Sequence, residues 1–523
     1  MSKKLDFKSE ARKGLITGIN TVANAVASTM GAMGRNVVIE RNGQAPHVTK
    51  DGFSAAKEIY LEDRLENMGA QMIKGVSAKT VKDTGDGTTT ATVLAQTMIN
   101  AGIEYLDNGS NPVDLKRGID QAVSLVVEAL NVASKPIDTI EQARQVATIS
   151  ANNDSGVGEI VANAISRVTR EGTITVEESK SVETYVDVVE GLKFGRGFTS
   201  AGFINNDEKK TVELENPLIL LTTAKIEAVT DIIKVLEFVP DDRAIFIISG
   251  DISGEAVATL VINKLRGGWK VAAIKAPFLG EKRAYTMEDL ATITGGTVIS
   301  ESAGLTFEEF NFSMFGSCDK IITDKEDTVI MGGHGTLDSI EELKSNLRTQ
   351  IENSNSKYDV EEIKQRLALI SGGVAVLYVG ANSEIEMKEK KDRIDDALGA
   401  TRAAIEEGIV EGGGLALLNC TLLIQELKSD NKDIQAGYDI VMQALFSPIE
   451  TILKNAGLPV HEILGKLFNE NKGLGYDVKS NLYVDMIESG IIDPKKVTRV
   501  ALENAASVAA LVLMTECTIV QAE

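Results

Sequence analysis

The stretch that decides the fold reads Gly85-Asp86-Gly87-Thr88-Thr89-Thr90-Ala91-Thr92, and an apolar helical run begins directly after it at Val93. Its two glycines let the backbone approach a ligand closely, and the start of a helix presents unpaired N–H groups to an anion. Three threonine hydroxyls can bond phosphate oxygens, and Asp86 carries the oxygen ligand that Mg²⁺ prefers. A Gly-Asp-Gly turn with a threonine helix cap is common, so it is the unbroken run of eight residues that predicts a nucleotide site.

Four other features carry weaker signals for the same chemistry. Thr29–Asn36 contains two glycines that offer a second backbone cradle, and Gly412–Gly414 reads as a flexible loop. Asp396 stands in a helical run, and Asp493 precedes a proline in the manner of a helix cap. No GxxxxGK[ST] motif occurs in the chain, which argues against a P-loop ATPase.

The composition indicates a large soluble protein of a reducing compartment. A length of 523 residues corresponds to about three domains. The formal net charge of −22 repels nucleic acid and anionic membranes, so we expect neither as a partner, although solubility alone would also explain it. The three cysteines form no CxxC motif, Met1–Asp6 turns polar too early for a signal peptide, and Ala505–Met514 is about half a membrane span. We therefore expect a cytoplasmic protein.

The periodicity changes twice along the chain. Helical patterns dominate the first ~130 residues, as in Ile16–Met30 and Met68–Lys82, with a short hairpin between them around the Asn42-Gly43 turn signal. Short buried strands such as Leu218–Leu221 and Ala244–Ile248 then alternate with helices, and the pattern is mainly helical again from residue 385. Helical ends around an α/β middle predict one domain made from both termini with another inserted between them.

Ordered runs along the chain resemble the sequences of group I chaperonins of the GroEL type. The runs are Gly34–Val38, Thr49–Gly52, Glu66–Met72, Gly85–Gln96, Leu115–Asp120, Thr148–Asn152, Val271–Pro277, Glu386–Lys391 and Ala400–Ala404. They follow the order of the family and span essentially the whole chain, so chance similarity is not a serious alternative.

The resemblance implies a multidomain α and α/β fold. In this GroEL-like arrangement a mainly helical equatorial domain is made from both termini, and a small α/β intermediate domain connects it to an α/β apical domain inserted centrally. The implied boundaries are 1–132 and 407–523 for the equatorial domain, 133–189 and 374–406 for the intermediate domain, and 190–373 for the apical domain.

The resemblance also implies an ATPase that uses ATP, Mg²⁺ and K⁺. The implied nucleotide-binding residues are Thr29, Met30, Gly31, Lys50, Gly87, Thr88, Thr89, Thr90, Ile149, Gly413, Tyr476, Val478, Ile491 and Asp493. Asp86 would bind Mg²⁺, and the backbone oxygens of Thr29 and Lys50 would bind K⁺. Asp396 would orient the attacking water with the assistance of Asp51, because phosphoryl transfer depends mostly on positioning and charge neutralisation.

The expected partners are non-native proteins, further copies of the chain in a seven-membered ring and a co-chaperonin lid. Taken without the resemblance, the apolar helical runs at 228–236 and 255–262 read as ordinary core helices. With it, an exposed client-binding surface would be formed by Phe198, Phe203, Ile233, Leu236, Val257, Val261 and Ile262. Such a surface binds unfolded chains by non-directional burial of apolar groups.

The sequence departs from the family pattern at several positions. Gly202 stands where the family has an aromatic in the client groove, Asp477 replaces an amide near the adenine, and Ala32 replaces a proline in the first phosphate loop. Glu450 stands where the family has an arginine in a contact between rings, and the Gly-Gly-Met tail is missing. The sequence thus leaves open whether one ring or two form.

Two other functions compete with a folding machine at this stage. A metabolic kinase would use the aspartate cluster to phosphorylate a small molecule, but the apolar runs in the middle of the chain argue against a polar substrate pocket there. A passive holdase would have lost ATP hydrolysis, and the retention of Asp51, Asp86 and Asp396 argues against that.

Overall fold

The computed structural model describes residues 3–40, 46–168, 173–179, 181–189, 191–207, 209–300, 303–353, 357–371, 374–469 and 473–521. The helices are α1 (Lys8–Ala27), α2 (Gly52–Glu58), α3 (Arg64–Thr84), α4 (Thr88–Asp107), α5 (Pro112–Ala133), α6 (Ile140–Ser150), α7 (Ser155–Arg167), α8 (Ile233–Glu237), α9 (Gly254–Gly267), α10 (Gly280–Thr294), α11 (Leu337–Asn353), α12 (Lys357–Ser371), α13 (Glu384–Glu407), α14 (Leu415–Glu426), α15 (Lys432–Asn455), α16 (Val460–Asn469) and α17 (Lys495–Leu513).

In the described part of the chain the strands are two to nine residues long and fall into six sheets. They are β1 (Lys3–Phe7), β2 (Val37–Ile39), β3 (His47–Thr49), β4 (Thr173–Glu178), β5 (Tyr185–Val189), β6 (Gly191–Phe194), β7 (Val212–Glu215), β8 (Leu218–Ile226), β9 (Ile245–Ile252), β10 (Val271–Lys275), β11 (Val298–Ile299), β12 (Gly316–Thr323), β13 (Thr328–Gly333), β14 (Val374–Val379), β15 (Ile409–Glu411), β16 (Gly475–Asp477), β17 (Leu482–Val484), β18 (Ile492–Pro494) and β19 (Cys517–Gln521).

The chain divides into two compact units. Unit 1 contains Met1–Asn163, Glu178–Thr184 and Val379–Glu523, and unit 2 contains Ala164–Glu177 and Tyr185–Tyr378. Unit 1 therefore combines both ends of the chain, and its further division into an equatorial and an intermediate domain stays a prediction. The Asn42-Gly43 turn lies outside the described residues, whereas the expected hairpin strands β2 and β3 do pair antiparallel.

Unit 1 is a helical bundle whose helices are separated by very small residues. Its largest core cluster joins α1, α3, α4, α5, α15 and α17. A Cβ at Gly69 of α3 would lie 2.0 Å from the carbonyl oxygen of Leu15 in α1, and a Cβ at Gly118 of α5 would lie 2.2 Å from that of Ile434 in α15. Backbones meet directly at these points, so only glycine fits there.

Helix ends in unit 1 follow from local sequence. Asp63 caps α3 by accepting hydrogen bonds from the N–H groups of Leu65 and Glu66, and α3 ends at Gly85 in the left-handed conformation. Thr139 and Gln142 form a reciprocal capping box at the start of α6. These caps satisfy backbone groups that a helix leaves unpaired, and they fix where α3 begins and ends and where α6 begins.

Unit 2 is built on a mixed sheet with the order β10-β9-β8-β12-β13-β6, with β11 beside β8 and β7 beside β12. Strands β8, β9 and β10 run parallel, as expected for the buried apolar runs separated by helices. Their core faces are closed by large side chains such as Phe246 and Ile219, which are fully buried. No helix in the described part of the chain has the length and apolar character needed to cross a membrane.

Two glycines of α3 provide a matched test of the close helix packing. Gly69→Ala places a methyl group against the backbone of α1, so we expect it to lower the free energy of unfolding by about 1–3 kcal/mol. Gly75→Ala meets no atom within 4 Å and should stabilise the protein by up to ~1 kcal/mol, because alanine favours helix. Denaturant unfolding followed by circular dichroism distinguishes the two, and equal effects would contradict this account of the packing.

Candidate nucleotide site and apolar surface

Unit 1 contains a cavity of about 520 Å³. Every nucleotide-binding, metal-binding and catalytic residue expected from the resemblance lines it. These are Thr29, Met30, Gly31, Lys50, Asp51, Asp86, Gly87, Thr88, Thr89, Thr90, Ile149, Asp396, Gly413, Tyr476, Val478, Ile491 and Asp493. The fold thus brings together residues that are separated by more than 400 positions in the sequence.

Two helix N-termini lie at the cavity. Helix α4 begins at Thr88 after Gly87, and α14 begins at Leu415 after Gly414, with both glycines in the left-handed conformation. The first residues of a helix carry unpaired N–H groups and a partial positive charge. The lining near these helix starts is therefore suited to a phosphate chain.

The first glycine loop is held by a distant helix. The Asn455 side-chain amide of α15 donates to the carbonyl oxygens of Ala27 and Met30, at 2.8 and 2.9 Å. Gly31 has a φ of 85°, which glycine adopts without strain, and a Cβ there would lie 3.0 Å from the Ile452 side chain. The loop is thereby presented to the cavity in one conformation, and the alanine at position 32 lines the cavity without the restriction of a proline.

Another part of the cavity lining is more apolar. The hairpin of β16 and β17 contributes Tyr476, whose ring contacts Tyr483 edge to face with 5.0 Å between centroids. Val478 and Ile491 lie on the same wall, and Val478 belongs to a small core cluster. These residues form a surface on which the flat apolar part of a nucleotide can pack.

Asp477 directs its carboxylate into its own turn. Burial acts to raise its pKa, but hydrogen bonds from the Ser480 hydroxyl and from the N–H groups of Lys479 and Ser480 outweigh it and lower the pKa. The substitution of an amide by Asp477 is therefore accommodated by a local turn rather than left as an unpaired charge.

Six carboxyl groups line the cavity, those of Asp51, Asp86, Asp396, Glu411, Asp477 and Asp493. Desolvation raises the pKa of Asp396 well above its usual range, and the charges of Asp51 and Asp86 raise it further. Desolvation also raises the pKa of Asp86, although hydrogen bonds from Ser150 and the Gly87 N–H oppose the effect. The pKa of Asp493 is raised to about 7 by desolvation and by Asp86. Bringing a cation among these groups would relieve their repulsion.

The donor set fits Mg²⁺ bound together with a nucleotide rather than a closed metal centre. Within the described residues no three His, Cys, Asp or Glu side chains are grouped so that they could hold a metal ion. Mg²⁺ is typically bound by one or two carboxylates together with substrate phosphates. Asp86 offers such a carboxylate directly before the helix terminus suited to phosphate. The Asp51 carboxylate also lines the cavity and accepts from the N–H groups of Phe53 and Ser54 as the cap of α2.

The sequence assigned no role to Ser150, which the structure brings into the site. Its hydroxyl donates to the Asp86 carboxylate and lies 3.4 Å from the carbonyl oxygen of Asp396. The sequence signal for Ser150 is its position next to Ile149, which the resemblance assigns to the nucleotide site. Helix α6 ends at Ser150, and both residues line the cavity. Gly414 was also missed, although the triple glycine pointed to it.

The apolar surface that the resemblance implies is only partly present on unit 2. Ile233 and Ile262 are 51% and 47% exposed, and Phe198, Leu236, Val257 and Val261 are half-buried. The run 228–236 is not one helix, because a 3-10 turn at Val229–Ile232 precedes the short α8. Leu265, 73% exposed near the end of α9, and the half-exposed Trp269 add apolar area that was not anticipated.

Phe203 was wrongly assigned to this surface. Its side chain is fully buried in the core of unit 2. Gly202 allows this because a Cβ there would lie 2.6 Å from Val261, so the 3-10 turn Ala201–Phe203 can press onto α9. The Lys264 ammonium holds the turn by donating to the carbonyl oxygens of Gly202 and Ile204, at 3.1 and 2.7 Å.

The raised pKa of Asp493 predicts a pH-dependent stability of the nucleotide-free protein. Between about pH 4 and 7 the folded protein retains this proton while the unfolded chain has lost it, so the free energy of unfolding falls as pH rises. Asp493→Asn should remove this fall in the free energy of unfolding, which amounts to at most about 1.4 kcal/mol per pKa unit. Relative to the wild type, the variant should therefore be more stable at pH 8 than at pH 5.

Asp477→Asn is the control for that measurement. Because the pKa of Asp477 is lowered in the folded state, its removal should cost stability at neutral pH and have less effect as pH falls. Thermal unfolding of the three proteins from pH 4 to 8 gives the curves. Parallel curves for the wild type and Asp493→Asn would contradict the assignment.

The comparisons with known proteins agree with this architecture. The sequence model of the TCP-1/cpn60 chaperonin family matches residues 22–236 and 234–523. Two crystal forms of the chaperonin gp146 from the bacteriophage EL 2 (Pseudomonas aeruginosa), both with ATP-BeFx, have the same fold. They match with TM-scores of 0.69 and 0.63 at 20% and 19% identity, over 99% of each chain. The GroEL-like fold class is thereby confirmed, and the chain belongs to the TCP-1/cpn60 chaperonin family.

Proposed function

We propose that the chain is a ring-forming subunit that captures non-native proteins on the apolar surface of unit 2 and releases them in a cycle driven by ATP hydrolysis in unit 1. As a member of its family the protein is an ATP-dependent molecular chaperone. The observation that carries the finer proposal is the convergence of all the expected nucleotide-site residues on one cavity.

The roles in hydrolysis follow from the chemistry of the side chains around this cavity. The N–H groups at the start of α4 and the hydroxyls of Thr88, Thr89 and Thr90 would bind the phosphates. Asp86 would hold Mg²⁺, which neutralises charge on the phosphates, and the carbonyl oxygens of Thr29 and Lys50 would hold K⁺.

Asp396 is the residue suited to orient the attacking water. Its carboxylate lines the cavity next to the proposed metal ligand and is not hydrogen-bonded as a helix cap, in contrast to that of Asp51. Desolvation raises its pKa first and the neighbouring carboxylates raise it further, so a cation bound beside it would favour the ionised form that a base requires. Asp51 contributes its charge and fixes the start of α2 beside the cavity.

Asp396→Ala tests this assignment. We expect ATP binding close to that of the wild type and turnover reduced on the order of 10²-fold or more, because the water loses its positioned base. Nucleotide affinity from a fluorescent ATP analogue and phosphate release in single-turnover experiments separate the two effects. Asp395→Ala is the control, since that neighbouring carboxylate is exposed and does not line the cavity. Near-normal turnover of Asp396→Ala would refute the assignment.

Client capture would depend on the exposed apolar side chains of α8 and α9. Ile233 and Ile262 are the most exposed members of the expected set, and burying apolar area against a client gains roughly 25 cal/mol per Å². A surface of this kind selects by hydrophobicity rather than by sequence, which suits a chaperone of many clients. A co-chaperonin lid would compete for it.

Ile262→Asp should weaken capture of a chemically denatured protein by about tenfold, because a charge would have to be desolvated in the complex. Leu337→Asp is the matched control, since Leu337 is also an exposed apolar residue of unit 2 but lies at the start of α11. Suppression of aggregation as a function of chaperone concentration gives the apparent affinity. Equal loss in both variants would argue against a localised surface.

We further propose a homo-oligomeric, seven-membered ring, and native mass measurement with and without ATP distinguishes a single from a double ring. A passive holdase is the second candidate, because client capture alone needs only the apolar surface of unit 2. ATP-dependent release of a bound denatured protein decides between the two, since a holdase would retain its client when ATP is added.

A further inference from the structure

We propose that Gly399 is a positioning residue for Asp396, and that its missing side chain lets α13 rest directly on the nucleotide loop. This inference rests on the proposed ATPase function. The contact between Gly399 and Gly85 would set the distance between the Asp396 carboxylate on α13 and the phosphate site at the start of α4.

The contact is reciprocal and involves backbone on both sides. A Cβ at Gly399 would lie 2.6 Å from the Cα of Gly85, and a Cβ at Gly85 would lie 2.6 Å from the Cα of Gly399. Neither atom is the end of a flexible side chain, so a methyl group could be accommodated only if the helix and the loop moved apart.

Conformation does not explain the glycine at position 399. Gly85 ends α3 with a φ of 76° and needs to be glycine for that reason alone. Gly399 instead lies inside the 24-residue α13 with helical backbone, where alanine would favour the helix more than glycine does. The close approach to Gly85 is the remaining reason for a glycine at this position.

The contact lies on the face of α13 that carries Asp396. Residues three apart in a helix are neighbours on one surface, so Asp396 and Gly399 both face the loop. Ser150 joins the same parts, because its hydroxyl donates to Asp86 in the loop and lies 3.4 Å from the carbonyl oxygen of Asp396. Displacing α13 at Gly399 would therefore withdraw the Asp396 carboxylate from the Asp86 site.

Gly399→Ala tests the proposal because a positioning role predicts that α13 moves away from the loop, whereas helix propensity alone predicts a more stable α13. We expect the Kd for ATP to stay within about twofold of the wild type, while single-turnover hydrolysis falls on the order of 10–100-fold, the typical cost of a misplacement near 1 Å. Gly75→Ala is the control, because it makes the same exchange inside α3 with no atom within 4 Å and should leave turnover unchanged.

A measurement independent of activity is amide hydrogen exchange of residues 384–407 without nucleotide. Exchange should be faster in Gly399→Ala if α13 has lost its contact with the loop, and slower if only helix propensity has changed. Wild-type turnover in Gly399→Ala, or slower exchange, would overturn the inference. Loss of ATP binding would overturn it too, since the loop itself would then have moved.

A longer carboxylate supplies a second test. Asp396→Glu should lower turnover in the wild-type background but raise it in the Gly399→Ala background, because the extra methylene spans part of the gap. An Asp396→Glu effect of the same sign in both backgrounds would overturn the inference. The proposed function fails separately, if Asp396→Ala hydrolyses ATP as fast as the wild type.

Discussion

The site depends on a tight turn in which the backbone passes from the end of α3 to the start of α4. Gly85 and Gly87 adopt φ values of 76° and 87°, which other residues rarely tolerate, and Asp86 lies between them. The turn is also enclosed, because a Cβ at Gly87 would lie 2.5 Å from the Val497 side chain of α17 and Gly85 touches α13. The same turn therefore places a helix N-terminus at the cavity, carries the proposed metal ligand Asp86 and contacts the helix that carries Asp396.

The carboxylates of this cavity lower the stability of the nucleotide-free protein and favour the binding of a cation. Asp86, Asp396 and Asp493 all have raised pKa values, chiefly because they are partly desolvated and secondarily because they repel one another. Such a cluster is a cost to the empty protein, and it is lessened when a cation brings positive charge among the carboxylates. The phosphates need the same cation, since the helix termini alone cannot neutralise them. Nucleotide and metal ion are thus expected to bind together.

Much of this site could be predicted from the sequence because its signals are local. A glycine-rich turn followed by threonines and an apolar run marks a helix start wherever it occurs, and the buried strands of unit 2 are equally visible as apolar runs. The resemblance then supplied Asp396, which no local pattern could have linked to residue 86. Ser150 and the Gly85–Gly399 contact were not predictable, because they depend on how α6 and α13 pack, and a glycine inside a helix does not reveal what it touches.

The misassignment of Phe203 has a physical explanation that also bears on client binding. A large side chain at position 202 would keep the 3-10 turn away from Val261, whereas glycine lets the turn settle on α9 and directs the next residue, Phe203, into the core. Lys264 then fixes the turn through two carbonyl oxygens, and burial lowers the pKa of its ammonium despite the nearby Asp207. The proposed client surface is consequently carried by α8 and α9 rather than by aromatic side chains of the turn. Aliphatic groups lack the directional preferences of aromatic rings, so we expect capture at this surface to depend on apolar area more than on specific contacts.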